Sequence, residues 1–266
     1  MSSMLRKLKD ALQGRVFIQS ILVGLIGVVS AFFYNISDLL LATKEELELL
    51  TTEYGSQLSA LLISSTISTF ILVFLAYFIG YKARKNIKLP KNKIEKKDII
   101  LFISLTFIVS IFLYFLDYSV YYNNIKYFVP TVFNPIDLMV SIIHSGVVEE
   151  ILFRWGLTSF IIWLFYNIFS KRDKETNNKK PITIPIIIGS IVFSSLFIFF
   201  FQLESIFYMY GQSFLVVMRS LINYLGLSFL LNFVYVKYGL KWSIILHIIF
   251  IIIYTGLCPL CVYFLV

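Results

Sequence analysis

The chain has 266 residues, of which 59% are hydrophobic and only 14% charged, and its mean hydropathy is +0.85. An ordinary soluble domain carries about 25% charged residues, so a soluble globular protein is excluded. The net charge of +8 would suit a nucleic-acid partner if it formed a patch, but the cations sit in short loops between apolar runs. No nucleic acid is expected; a basic skirt drawn to anionic membrane lipid accounts for the charge.

In chain order, Arg6, Lys7, Lys9 and Arg15 precede a first apolar run at 16–34. Val29-Ser30-Ala31 has the small residues of a leader cleavage site, yet the run continues through Phe32 and Phe33, so a retained helix is expected. Residues 35–56 are acidic, with Asp38, Glu45, Glu46, Glu48 and Glu53 against Lys44. A second run covers 57–81, and 82–98 then holds eight basic residues. A third run covers 99–121 and a fourth 136–170, followed by five basic residues in 171–180. Runs at 182–201, 213–236 and 242–266 complete the chain. Each meets the requirement of about 20 apolar residues per span, and lipid offers no partner to an unpaired backbone group, so each must be helical. The expected fold is all-α, a polytopic transmembrane bundle of about seven or eight membrane helices. It divides into residues 1–133, N-terminal helices with a basic loop, and a core at 134–266. Basic loops stay cytoplasmic, which puts the N-terminus inside and 35–56 outside; a prokaryotic cell membrane is the expected setting.

In such a chain the informative residues are the expensive ones, since a charge at mid-bilayer costs about 2.5–3.5 kcal/mol even on lenient scales. They are Glu149, Glu150, Arg154, Arg219, and the two histidines, His144 and His247. Asn134 is a favoured helix N-cap and Pro135 a favoured first helical residue, so a helix begins there. Running to Ser170 it would be near 50 Å long, against a hydrocarbon core of about 30 Å; it must tilt, kink or break. Glu150 and Arg154 are four apart and share a face, so Arg154 is expected to neutralise Glu150. Glu149 is rotated about 100° away without such a partner, which suits it to accept a proton. A purely bracing charge cluster is the alternative. His144 lies about 140° around the helix from Glu149 and reads as a packing residue. Arg219 and Asn223 share a face in the sixth run and are expected to pair across helices. Cys258 and Cys261 read as small buried hydrophobes.

At these residues the chain resembles the CAAX protease and bacteriocin-processing (Abi) family of intramembrane endopeptidases. Glu149-Glu150-x-x-x-Arg154 is similar to the family's first motif. Tyr235-Val236-Lys237-Tyr238-Gly239-Leu240-Lys241-Trp242-Ser243-Ile244-Ile245-Leu246-His247 is similar to the run that leads into its third. The resemblance implies Glu149 as the base that activates water, Glu150 and Arg154 as its supports, and His247 as an oxyanion donor. The family's second motif is Phe-x-x-x-His; here Ile198 and Gln202 occupy those positions, and Gln202 can hydrogen-bond a water without taking its proton. Four residues beyond His247, where the family has Asn or Asp, stands Ile251. The implied partners are membrane lipid and a peptide or prenylated-protein substrate, with the oligomeric state open. No cofactor is expected; zinc held by the two carboxylates and His247 is weakly supported, there being no His-Glu-x-x-His and no nearby cysteine. Two other functions stand beside the peptidase: a catalytically impaired scaffold, or immunity or maturation factor, favoured by the missing His and Asn, and a transporter, whose paired Gly/Pro-interrupted helices are not found.

Overall fold

The computed structural model describes residues 14–41, 57–87, 94–121, 133–170 and 181–265. Arg6, Lys7 and Lys9, the acidic stretch 42–56, and the basic residues of 88–93 and 171–180 lie outside them.

Among the described residues every element is helical, and the seven apolar runs become seven helices. They are α1 (Arg15–Leu41), α2 (Gln57–Asn86), α3 (Lys96–Tyr121), α4 (135–169), α5 (Ile184–Tyr210), α6 (Phe214–Tyr238) and α7 (240–265). All but α4 contain a segment long and apolar enough to cross a membrane. The bundle is built inside out relative to a soluble protein. Ile100, Phe115 and Phe214 are 67%, 69% and 74% exposed, while Glu150, Arg154, Asp117, Arg219 and a set of serines are buried. Lipid takes the place of water around the apolar side chains, so what the interior must satisfy is polar.

Helix α4 lies at the centre, packed against α1, α2, α5, α6 and α7. It begins where the sequence expects, with the Asn134 side chain accepting from Ile136 N at 2.9 Å and Pro135 in the first turn. It does not break. Its overlength run is instead rewound through a π-helical stretch, His144–Thr158, in which the backbone bond reaches five residues back. Small residues let neighbours approach this stretch, the usual basis of helix association in lipid. A Cβ on Gly156 would lie 2.7 Å from that of Ala76 on α2, and one on Gly146 would lie 2.8 Å from Ile248 Cγ1 on α7. Trp155 stacks on Tyr77 with centroids 5.4 Å apart and donates its indole N–H to Tyr77 O at 3.0 Å.

Helices α6 and α7 are joined by a single residue, Gly239, at φ 97° and ψ 174°. That backbone region is essentially restricted to glycine. The chain doubles back so tightly that the Ser243 hydroxyl reaches Leu231 O at 3.3 Å. The turn also resolves a difficulty of simple inside/outside counting, which sends Gln202 and His247 towards opposite membrane faces. From Glu150 to Phe169, the end of α4, is roughly 28 Å of helix, and from Leu240 to His247 only roughly 10 Å. Because Glu150 and His247 touch, the Gly239 turn is sunk well below the end of α4. Residues at different counts from their loops therefore meet at one depth.

Candidate active site in the bundle interior

A cavity of about 550 Å³ opens at that depth, and its walls bring together Glu149 and Arg154 from α4, Gln202 from α5, and His247 from α7. Glu150 does not face it: it is fully buried behind the wall. Its Oε1 accepts from His247 Nδ1 at 2.8 Å, and its Oε2 accepts from the Ser243 hydroxyl. Arg154 Nε lies 3.4 Å from Oε1 as an ion pair but makes no hydrogen bond. Arg154 balances the charge, therefore, while His247 and Ser243 hold the carboxylate in place. Ser243 escaped the sequence reading: it lies four residues before His247 on the same helix face, but nothing else singles out a serine within an apolar run.

Glu149 is half-buried on the cavity wall, its Oε1 3.4 Å from the Ser145 hydroxyl. His247 spends Nδ1 on Glu150, which leaves Nε2 as the ring nitrogen with an open valence. Gln202 contributes its amide to the wall, with Oε1 buried and without a hydrogen-bond partner. Ile251 is an apolar part of the same wall, and Ile198 is buried in α5. The rest is largely hydrophobic, including Phe153 and Phe201 packed edge-to-face at 6.1 Å, with Ile206, Leu227 and Phe250.

His144 requires a correction. An α-helical count turns it away from Glu149, yet both line the cavity. The reason is the π-helical wind: with five residues spanned by each backbone bond, positions five apart swing towards a common face. Its ring lies against α1, with Nδ1 2.9 Å from Ser30 Oγ and the Tyr34 ring 5.2 Å away.

A second polar node was only half legible. Arg219 binds Asp117 through two N–H···O bonds of 2.9 Å, Asn223 donates to Asp117 at 3.2 Å, and Tyr254 donates its hydroxyl to the same carboxylate. Arg219 and Asn223 do pair across helices, as expected. Asp117 was overlooked because it stands near the end of the third run, where an acid reads as the start of a loop. Asp117, Asn223 and Tyr254 each lie in a π-helical stretch. Cys258 and Cys261 are free thiols rather than buried ones: Cys261 is exposed and Cys258 packs partly into the neighbouring aromatic cluster.

The donor set does not fit a metal. Zinc needs three or four converging ligands, and no group of three His, Cys, Asp or Glu side chains converges among the described residues. Glu150, one of the three donors the sequence suggested, faces away from the cavity and is occupied by His247 and Ser243.

Residues 130–253 match the family model described as Rce1-like, type II CAAX prenyl endopeptidase Rce1-like. No curated protein matches the chain, and no solved structure does. The matched segment contains Glu149, Glu150, Arg154, Gln202 and His247, whereas Ser30 and Tyr34 of the cavity region lie outside it.

Proposed function

We propose that the chain, whose residues 130–253 match the Rce1-like family model, is an intramembrane endopeptidase of the CAAX type, hydrolysing a peptide bond with water activated by Glu149. The observation that carries the reading is that Glu149 and His247 line one cavity between the helices of a membrane bundle. The Glu149 carboxylate takes a proton from a cavity water, whose oxygen bonds to the scissile carbonyl carbon. With its ring doubly protonated, His247 keeps Nδ1–H on Glu150 and offers Nε2–H to the developing oxyanion. The carbon–nitrogen bond then breaks, and the proton held by Glu149 passes to the leaving nitrogen. No covalent intermediate forms. Glu150, fixed by Ser243 and balanced by Arg154, positions the imidazole. Gln202 lends the wall an amide for a substrate backbone group. A cavity of about 550 Å³ falls within the range of small-ligand sites, and its aromatic and aliphatic walls suit the apolar end of a peptide. The proposed substrate is the C-terminal peptide of a prenylated protein.

The test is reconstitution of the full chain in liposomes with a panel of farnesylated C-terminal peptides and unmodified leader peptides, comparing it with Glu149→Ala. Cleavage that depends on Glu149 supports the reading, and equal cleavage by both refutes it. Ile251 and Gln202, standing where the family resemblance expects Asn and His, favour a second reading, a non-hydrolytic scaffold. Failure of the unaltered chain to cleave any peptide of the panel would select it.

A further inference from the structure

The chain has only two histidines, and both line the same cavity. The mechanism above uses one. His247 is tied through Nδ1 to a buried carboxylate; His144 is tied through Nδ1 to a hydroxyl, Ser30 Oγ at 2.9 Å. Each imidazole therefore has one nitrogen fixed by a second helix and the other left over. Two imidazoles, each oriented by a second helix, thus stand on the cavity wall with a half-buried carboxylate.

Resting on the endopeptidase reading, we propose that His144 is a second catalytic imidazole: with Nδ1–H donated to Ser30 Oγ, its Nε2 lone pair accepts one hydrogen of the water that Glu149 deprotonates. A water attacks through an oxygen lone pair, and acceptors for both of its hydrogens on the side away from the substrate aim that lone pair at the carbonyl carbon. Glu149 takes one as a proton. His144 holds the other in a hydrogen bond and remains neutral; when the tetrahedral adduct collapses, that hydrogen stays with the new carboxyl group while the Glu149 proton leaves on the amine. Water is the only co-reactant. The π-helical rewinding of α4 gives His144 and Glu149 a common outlook, and α1 sets the ring, with Ser30 on Nδ1 and Tyr34 against its face at 5.2 Å. The titratable and charged groups about it are Tyr34 on α1, Glu149 and Arg154 on α4, Tyr224 on α6 and His247 on α7.

The two imidazoles are then needed in opposite states. His144 must be neutral to accept, so its protonation stops the reaction as pH falls; His247 must be doubly protonated to donate, so its deprotonation stops the reaction as pH rises. The experiment is the pH dependence of kcat for the liposome-reconstituted full chain on a quenched-fluorescent farnesylated peptide, with His144→Gln, Ser30→Ala and Glu149→Gln alongside, and thermal unfolding of each to confirm folding. His144→Gln is expected to lower kcat about 10²-fold with little change in KM, and to shift the acidic limb of the profile. Ser30→Ala is expected to lower kcat by a smaller factor and keep the limb. A folded His144→Gln protein with unaltered kcat overturns the proposal, as does one that is slower with the acidic limb unmoved, since that marks a structural role. Full activity of Glu149→Gln, or no cleavage by the unaltered chain, overturns the endopeptidase reading itself and this role with it.

Discussion

Glu149 and Glu150 are adjacent in sequence and opposite in circumstance. One stands on a cavity wall with a single long contact to Ser145; the other is sealed behind it, with His247, Ser243 and Arg154 gathered around its two oxygens. Their loss should therefore be read by different instruments. Glu149→Gln is expected to lower peptide cleavage by about 10²–10⁴-fold, the usual share of a general base, with thermal unfolding in detergent unchanged. Glu150→Gln leaves Arg154 as a buried charge without its counter-ion, and removing one partner of a buried pair costs about 3–5 kcal/mol. Its unfolding temperature should fall markedly, whatever the assay of cleavage reports. This division is legible in the sequence, because Arg154 lies one turn from Glu150 and not from Glu149. The hydroxyl of Ser243 and the carboxylate of Asp117 were not, because a serine in an apolar helix and an acid near a span's end each have an unremarkable explanation in sequence.

At the scale of elements, the α6–α7 turn and the π-helical stretches do the positioning. Gly239→Ala would force a side chain into a backbone region that costs about 1–3 kcal/mol. The expected result is a modest loss of thermal stability with a disproportionate loss of cleavage, because Ser243 and His247 are carried on the first two turns beyond it. Equal stability and cleavage to the unaltered chain would show that the turn does not set their depth. The Asp117 node knits α3, α6 and α7 through Arg219, Asn223 and Tyr254. Asp117→Ala is expected to cost about 3–5 kcal/mol, and the Asp117→Ala/Arg219→Ala double variant less than the sum of the two singles, as coupled partners require. Thermal unfolding of the four proteins measures it. Hydrophobic runs announce that α4 exists and how long it is; they do not disclose how it is wound, because π-helical bonds rest on packing against neighbours rather than on the composition of the helix. For the same reason the side of α4 on which His144 falls could not be counted out from a regular helix.

At the scale of the bundle, the seven apolar runs are seven helices among the described residues, since run length and hydropathy are what lipid selects for. Depth was the quantity that counting misjudged: it treats every loop as lying at one of two levels, whereas the one-residue Gly239 turn leaves only eight residues between itself and the His247–Glu150 contact. Sidedness remains a matter of loop charge. Single cysteines placed in 88–93 and 171–180, in a background lacking Cys258 and Cys261, are expected to be shielded from impermeant reagent in right-side-out vesicles, and one in 42–56 to be labelled. The reverse pattern would invert the assigned orientation.

Ser30 and Tyr34 have a practical corollary. They are donated by the first helix, roughly a hundred residues upstream of the family segment. A truncated version that begins at residue 130 would retain Glu149, Glu150 and His247 but leave one flank of the hollow bare, with acyl chains free to enter where Tyr34 now stands. Anyone trimming this chain to its family segment should carry the first helix along, or supply it as a separate peptide and look for recovery of the fold.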